Sequence, residues 1–268
     1  MTASAAFFDL DRTLISGSSA VDFGLAAWRN KLLPAHRLVT DLFSAIAFKL
    51  FGASDEKSQA TKERVLEAVK GASQADLVAL NEDIIPSVLG KVRPEAKSLL
   101  EMHEEAGRDT FIVSASPYEL VSPLAHALGM TGGIGTRPEV VDGRYTGGLD
   151  GPFCYGEGKA EIIGKIAAER GYDLRLSYSY SDSVSDLPML EMVGHPVAVN
   201  PDRGLETVAR QRGWPIVIFA RRTKQAIKLT TAVSLGVAAA GSSYALGRRH
   251  GRIQADAVQG RASRLLGR

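Results

Sequence analysis

The chain has 268 residues, enough for one large domain or for a core that carries an inserted second one. Apolar residues make up 45% and charged residues 23%, an ordinary balance for a water-soluble fold, and a net charge of +2 gives no support to nucleic-acid binding. The charge is uneven: Arg221 to Arg268 holds ten Lys/Arg and one acid, Asp256, so the rest of the chain is net acidic and the basic tail needs its own account.

Taken in order, Ala5 to Phe8 reads as a short apolar strand flowing into "DLDRT", Asp9 to Thr13. Asp9 comes too early for a secretory signal, which leads us to expect a cytoplasmic chain. From about 16 to 90 the sequence is helical in its spacing and offers no convincing strand; "SAVDFGLAAWRN" and "HRLVTDLFSAIAFKLFG" place Trp28, Phe43 and Phe48 in the core of a small helical insertion. Beyond it, strands at Phe111–Val113, within Arg175–Ser183, at Val197–Asn200 and at Trp214–Phe219 alternate with helices at Pro94–Ala106, Tyr118–Leu128, Lys159–Arg170, Asp186–Met192 and Asp202–Gln211. Such alternation implies βαβ units and a parallel sheet. "TGGIG", Thr131 to Gly135, looks like a helix-to-strand turn, and the Asp-Gly pair in "EVVDGRYTGG" signals a hairpin. The lone Cys154 excludes an intramolecular disulfide and a cysteine-based zinc site, and suits a reducing compartment. The five histidines show no ligand spacing.

In a parallel α/β sheet, ligands bind beyond the carboxyl ends of the strands. Four such places carry unusual polar residues: Asp9 and Asp11; Ser114 after "FIV"; Lys159 in "GEGKAEII"; and "SDSVSD" with Asp182 and Asp186. Singly, each is a turn, cap or solvated residue; in this order they supply the parts of phosphoryl transfer. These are a carboxylate nucleophile, a lysine for the equatorial oxygens, and carboxylates for a divalent ion.

With these motifs the sequence resembles the haloacid dehalogenase-like phosphatases, in the branch that contains phosphoserine phosphatase, over roughly residues 5 to 219. The resemblance implies a Rossmann-like α/β core (1–15 and 91–220), an inserted all-helical cap (16–90) and a Mg2+-dependent phosphomonoesterase that forms an aspartyl-phosphate. It implies Asp9 as nucleophile and metal ligand, and Asp11 as general acid and base, oriented by Thr13 and reaching the metal through its carbonyl. Ser114 and Lys159 would bind phosphate, Asp182 the metal, and Asp186 would support the metal or its waters. The branch carries a cap glutamate for the substrate ammonium where this chain has Ser18; Asp22 is the nearest downstream acid, and Arg64 matches the cap arginine that meets the substrate carboxylate. Arg12 stands at a variable position, either solvated or touching phosphate or leaving group, and Ser181 replaces a glycine.

The missing glutamate leaves two substrate classes open, a small phosphorylated metabolite such as phosphoserine and a lysophospholipid phosphate. A mutase is chemically open too, and the rival of another class is a catalytically idle phosphate-binding or membrane-tethered scaffold. The tail, 221–268, contains an uncharged run from Leu229 to Gly247 between basic flanks. It is near the length that spans a bilayer, yet rich in Ala, Gly, Ser and Thr, so a membrane-associated helix and a soluble helix docked on the core both fit.

Overall fold

Five residues, Ala5–Asp9, form strand β1, and all five are buried, the pattern of a central strand covered on both faces. A computed structural model describes residues 3–31, 63, 66, 67 and 69–219, all within one unit, Met1–Phe219. Arg64, Phe43, Phe48 and the segment Leu229 to Gly247 lie outside the described residues.

After β1 come helices α1 (Ser19–Arg29), α2 (Gln74–Ala79), α3 (Asn81–Leu89) and α4 (Pro94–Glu105). Then β2 (Asp109–Pro117), α5 (Tyr118–Ala127) and β3 (Gly132–Thr136) lead to a hairpin of β4 (Pro138–Val141) and β5 (Arg144–Leu149). The chain closes its sheet with α6 (Glu157–Arg170), β6 (Tyr178–Ser181), α7 (Leu187–Glu191), β7 (His195–Val199), α8 (Arg203–Arg212) and β8 (Ile216–Val217). The six-stranded sheet has the order β3-β2-β1-β6-β7-β8, and every pairing is parallel, so the Rossmann-like expectation holds. Among the described residues no helix is long and apolar enough to cross a membrane.

Local chemistry explains the boundaries. Asp202 caps α8 by accepting from Leu205 N at 2.8 Å, and Gly213 ends that helix in the left-handed region at φ 69°. The hairpin turns through Asp142 and Gly143, both at positive φ (49° and 73°), as its Asp-Gly pair demanded.

Two expectations are corrected. "TGGIG" is not a turn but supplies the edge strand β3, and its glycines serve close packing. A Cβ on Gly133 would stand 2.5 Å from the Val121 carbonyl oxygen, so α5 lies directly on the strand backbone. Trp28 is 46% exposed and does not belong to the core among the described residues.

His103 on α4 is fully buried against the edges of the Phe8, Tyr178 and Tyr180 rings. The Arg108 guanidinium is 3.2 Å from Nδ1 and can only donate, so Nδ1 accepts and Nε2–H donates to the Tyr180 hydroxyl at 2.8 Å. Burial, followed by the Arg108 charge, pushes the imidazole pKa down to about 4.

Gly133→Ala should therefore lower unfolding free energy by about 1–3 kcal/mol in urea. Gly164→Ala in α6, where a Cβ meets only Met192 Cε at 3.8 Å, should be neutral or stabilising. Between pH 6.5 and about 4 the unfolded chain takes up a proton at His103 that the folded chain refuses, so stability falls as pH drops through that window. The expected slope is about 1 kcal/mol per pH unit. Urea midpoints measured from pH 7 to 4 should fall less steeply in His103→Gln than in the unaltered chain.

Candidate active site

The strand register brings the predicted residues to one end of the sheet. Asp9 is the last residue of β1, level with Val113, so Ser114 is one residue beyond it on the neighbouring strand. On the other side Phe8 is level with Tyr180, and Ser181 and Asp182 follow where β6 ends. Adjacent strands are about 4.8 Å apart, so these side chains emerge together.

Lys159, in the first turn of α6, is 2% exposed. Its Nζ lies 2.7 Å from Asp9 Oδ1 and 2.8 Å from Asp186 Oδ2. Ser181 Oγ donates to the same Asp186 oxygen at 2.7 Å. Burial alone would lower the lysine pKa; the Asp186 and Asp9 carboxylates outweigh it and hold the ammonium firmly protonated. Asp9 is pushed up to about 8, first by burial; Lys159 pulls it down, while Asp186 and Asp182 push it further up.

Asp182, 4% exposed, pairs through Oδ2 with Arg12 Nε at 2.9 Å, and the Arg12 side chain stays 38% exposed to solvent. Arg12 adopts φ 65°, a left-handed conformation uncommon for a residue with a side chain, and its N–H donates to the Gly17 carbonyl at 3.0 Å. Leu10, Leu14 and Ile15 are fully buried and pin this loop onto the core. Ser114 Oγ accepts from Ser116 N at 3.2 Å, which leaves its own proton to donate elsewhere.

Asp11 is held differently from the expectation. Its Oδ2 accepts from Ser18 Oγ at 2.9 Å and its Oδ1 from Ser19 N at 2.7 Å. Thr13 does not orient it: Thr13 Oγ1 is buried without a hydrogen-bond partner. Asp22, on α1, is neutralised by Lys91 Nζ at 2.7 and 2.8 Å and accepts from Ser87 Oγ at 2.8 Å. The predicted set thus divides. Asp9, Lys159 and Asp186 are in direct contact; Ser114 and Asp182 flank them on the neighbouring strands; Asp11 and Ser18 pair at the start of α1; and Asp22 is spent on Lys91.

Three participants carried no sequence signal of their own. Ser19 and Ser116 share a hydrogen bond of 2.9 Å that ties α1 to the end of β2. Asp202 accepts from Val184 N at 3.0 Å while its own N–H donates to the Asp182 carbonyl at 2.7 Å, which fixes the loop carrying Asp182. Cys154, fully buried with its thiol pushed up to about 12 chiefly by that burial, stays protonated and inert.

Among the described residues no three acidic or imidazole side chains form a ready-made metal cage. Charge and donor chemistry nevertheless suit magnesium. The donors are all hard oxygens, and three buried carboxylates, Asp9, Asp182 and Asp186, face two cations, Lys159 and Arg12. A cation would help to hold Asp9 ionised against the burial and the neighbouring Asp186 and Asp182 carboxylates that push its pKa up.

A family model described as haloacid dehalogenase-like hydrolase matches residues 6–191. A Mycobacterium tuberculosis protein named as a probable phosphatase is 41% identical over 257 residues, covering 91% of this chain and 89% of its own. A phosphoserine phosphatase of the same organism is 38% identical over 251 residues, covering 92% and 82%. A solved structure of a Bordetella pertussis protein of unknown function is 31% identical, with a TM-score of 0.70, over 81% of this chain and 99% of that one. Ordered motifs, a shared parallel sheet and matches of this length agree, and the chain belongs to the haloacid dehalogenase-like hydrolases, in their phosphoserine phosphatase-like branch.

Proposed function

We propose that the chain is a magnesium-dependent phosphomonoesterase working through an aspartyl-phosphate on Asp9. The observation that carries this reading is the buried Asp9–Lys159–Asp186 contact, at 2.7 and 2.8 Å, where the central strands end. It puts a nucleophilic oxygen next to the ammonium that would neutralise an incoming phosphoryl group.

In the first half-reaction an Asp9 oxygen attacks phosphorus, the bond to the alcohol oxygen breaks with its electron pair on that oxygen, and Asp11 supplies the proton. In the second, water attacks the phosphoryl group and gives its proton to Asp11. The Asp9–phosphorus bond then breaks to return the carboxylate and inorganic phosphate. Ser114 donates to a phosphoryl oxygen, Lys159 neutralises it, and Asp186 with Ser181 keeps the lysine in place. Magnesium, when bound, would offset the repulsion between carboxylate and phosphate. Asp9, Asp182 and the Asp11 carbonyl would hold it. Residues 16–90 act in this reading as the cap over the site.

Ser18 and Asp22 offer no uncompensated carboxylate for an ammonium group, since one faces Asp11 and the other is paired with Lys91. This favours a small, polar phosphomonoester recognised without an ammonium contact at these positions. The lysophospholipid class rests on the missing glutamate and the tail, and the idle-scaffold reading has no lost residue in the set to support it.

Asp9→Asn should lower turnover of a generic aryl phosphate by at least about a thousandfold while leaving the fold intact by circular dichroism. EDTA should silence the unaltered enzyme and added Mg2+ should restore it. Undiminished magnesium-dependent activity in the variant would refute the mechanism. In a panel of phosphoserine, glycerol phosphate, small alkyl phosphates and lysophosphatidic acid in vesicles, kcat/KM should be highest for a small ester without an ammonium group. A hundredfold preference for phosphoserine or for the lipid would overturn the substrate reading.

A further inference from the structure

Ser18 occupies the N-cap position of α1, at φ −125° and ψ 125°, yet its side chain makes no capping bond to its own helix. It turns to Asp11 Oδ2 at 2.9 Å, while the first amide of the helix, Ser19 N, donates to Oδ1 at 2.7 Å. A carboxylate from the preceding loop therefore meets the orphan donor at the helix start. Ser19 is fully buried, and its hydroxyl holds Ser116 at 2.9 Å, so this end of α1 is anchored to the end of β2, the strand that carries Ser114.

We propose that Ser18 is a positioning residue for Asp11: its hydroxyl holds Oδ2 while the first amide of α1 holds Oδ1, so the two contacts together fix the carboxyl plane. The proposal rests on the phosphatase reading, in which Asp11 first gives a proton and then takes one. An amide N–H only donates, so Oδ1 is committed as an acceptor. A hydroxyl donates or accepts, so Ser18 keeps its contact with Oδ2 whether that oxygen bears a proton or not.

The test compares kcat/KM, which reports phosphoryl transfer to Asp9, for two esters: a simple alkyl phosphate, whose leaving oxygen needs a proton, and p-nitrophenyl phosphate, whose leaving group departs without one. Ser18→Ala should lose about fivefold on the alkyl ester, the worth of one hydrogen bond, and under about twofold on the nitrophenyl ester. Ser18→Thr, which keeps the hydroxyl, should restore the alkyl activity. Equal losses on both esters, or no rescue by threonine, would overturn the proposal. A second readout needs no turnover: crystals of the unaltered chain should show Asp11 in the present orientation, and those of Ser18→Ala should show it in at least two. The same single orientation in both would sink the idea. Failure of the unaltered chain to hydrolyse either ester would refute the phosphatase reading instead, and the crystal comparison would then decide this proposal alone.

Discussion

One buried ammonium organises this molecule. Lys159 bridges Asp9, at the end of the central strand, and Asp186, after β6, with almost no access to water. Breaking such a pair from one side leaves a charge uncompensated in a low-dielectric interior, a strongly unfavourable state. The lysine therefore ties α6 to both sides of the β1–β6 ladder. Burial is the first cause of the raised Asp9 pKa; Lys159 opposes it, and the Asp186 and Asp182 carboxylates add to it.

The second constraint is the loop from Leu10 to Gly17, which must turn sharply while its apolar residues stay buried. Arg12 takes the left-handed conformation there, and its guanidinium answers Asp182 across the strand ends. Beyond the loop, α1 begins where its amide and the Ser18 hydroxyl meet Asp11. Two carboxylates two residues apart thus live in different surroundings, one against a buried lysine and the other against neutral donors at a helix start.

The same hydrogen bonds underlie the proposed substrate reading. Both polar side chains that are candidates for an ammonium contact are occupied within the chain: Ser18 with Asp11, Asp22 with Lys91 and Ser87.

Much of this was legible in the linear chain. Alternating apolar runs and amphipathic stretches announced a parallel sheet, the Asp-Gly pair announced its hairpin, and carboxylates after apolar runs announced where β1 and β6 stop, because each signal is a property of adjacent residues. What adjacency could not carry is how segments meet. "TGGIG" looked like a turn because nothing local shows that α5 presses on Gly133 from across the fold. Thr13 was the expected partner of Asp11, and only the course of the chain into α1 put Ser18 and Ser19 there instead. Lys159 is 150 residues from Asp9, and Ser116 is 97 from Ser19; contacts over such separations are chosen by packing the whole core. The sequence by itself determined which chemical groups exist and which stretches end in them, while tertiary structure alone decided which of those groups share a proton or a charge, because that depends on distance through space rather than along the chain.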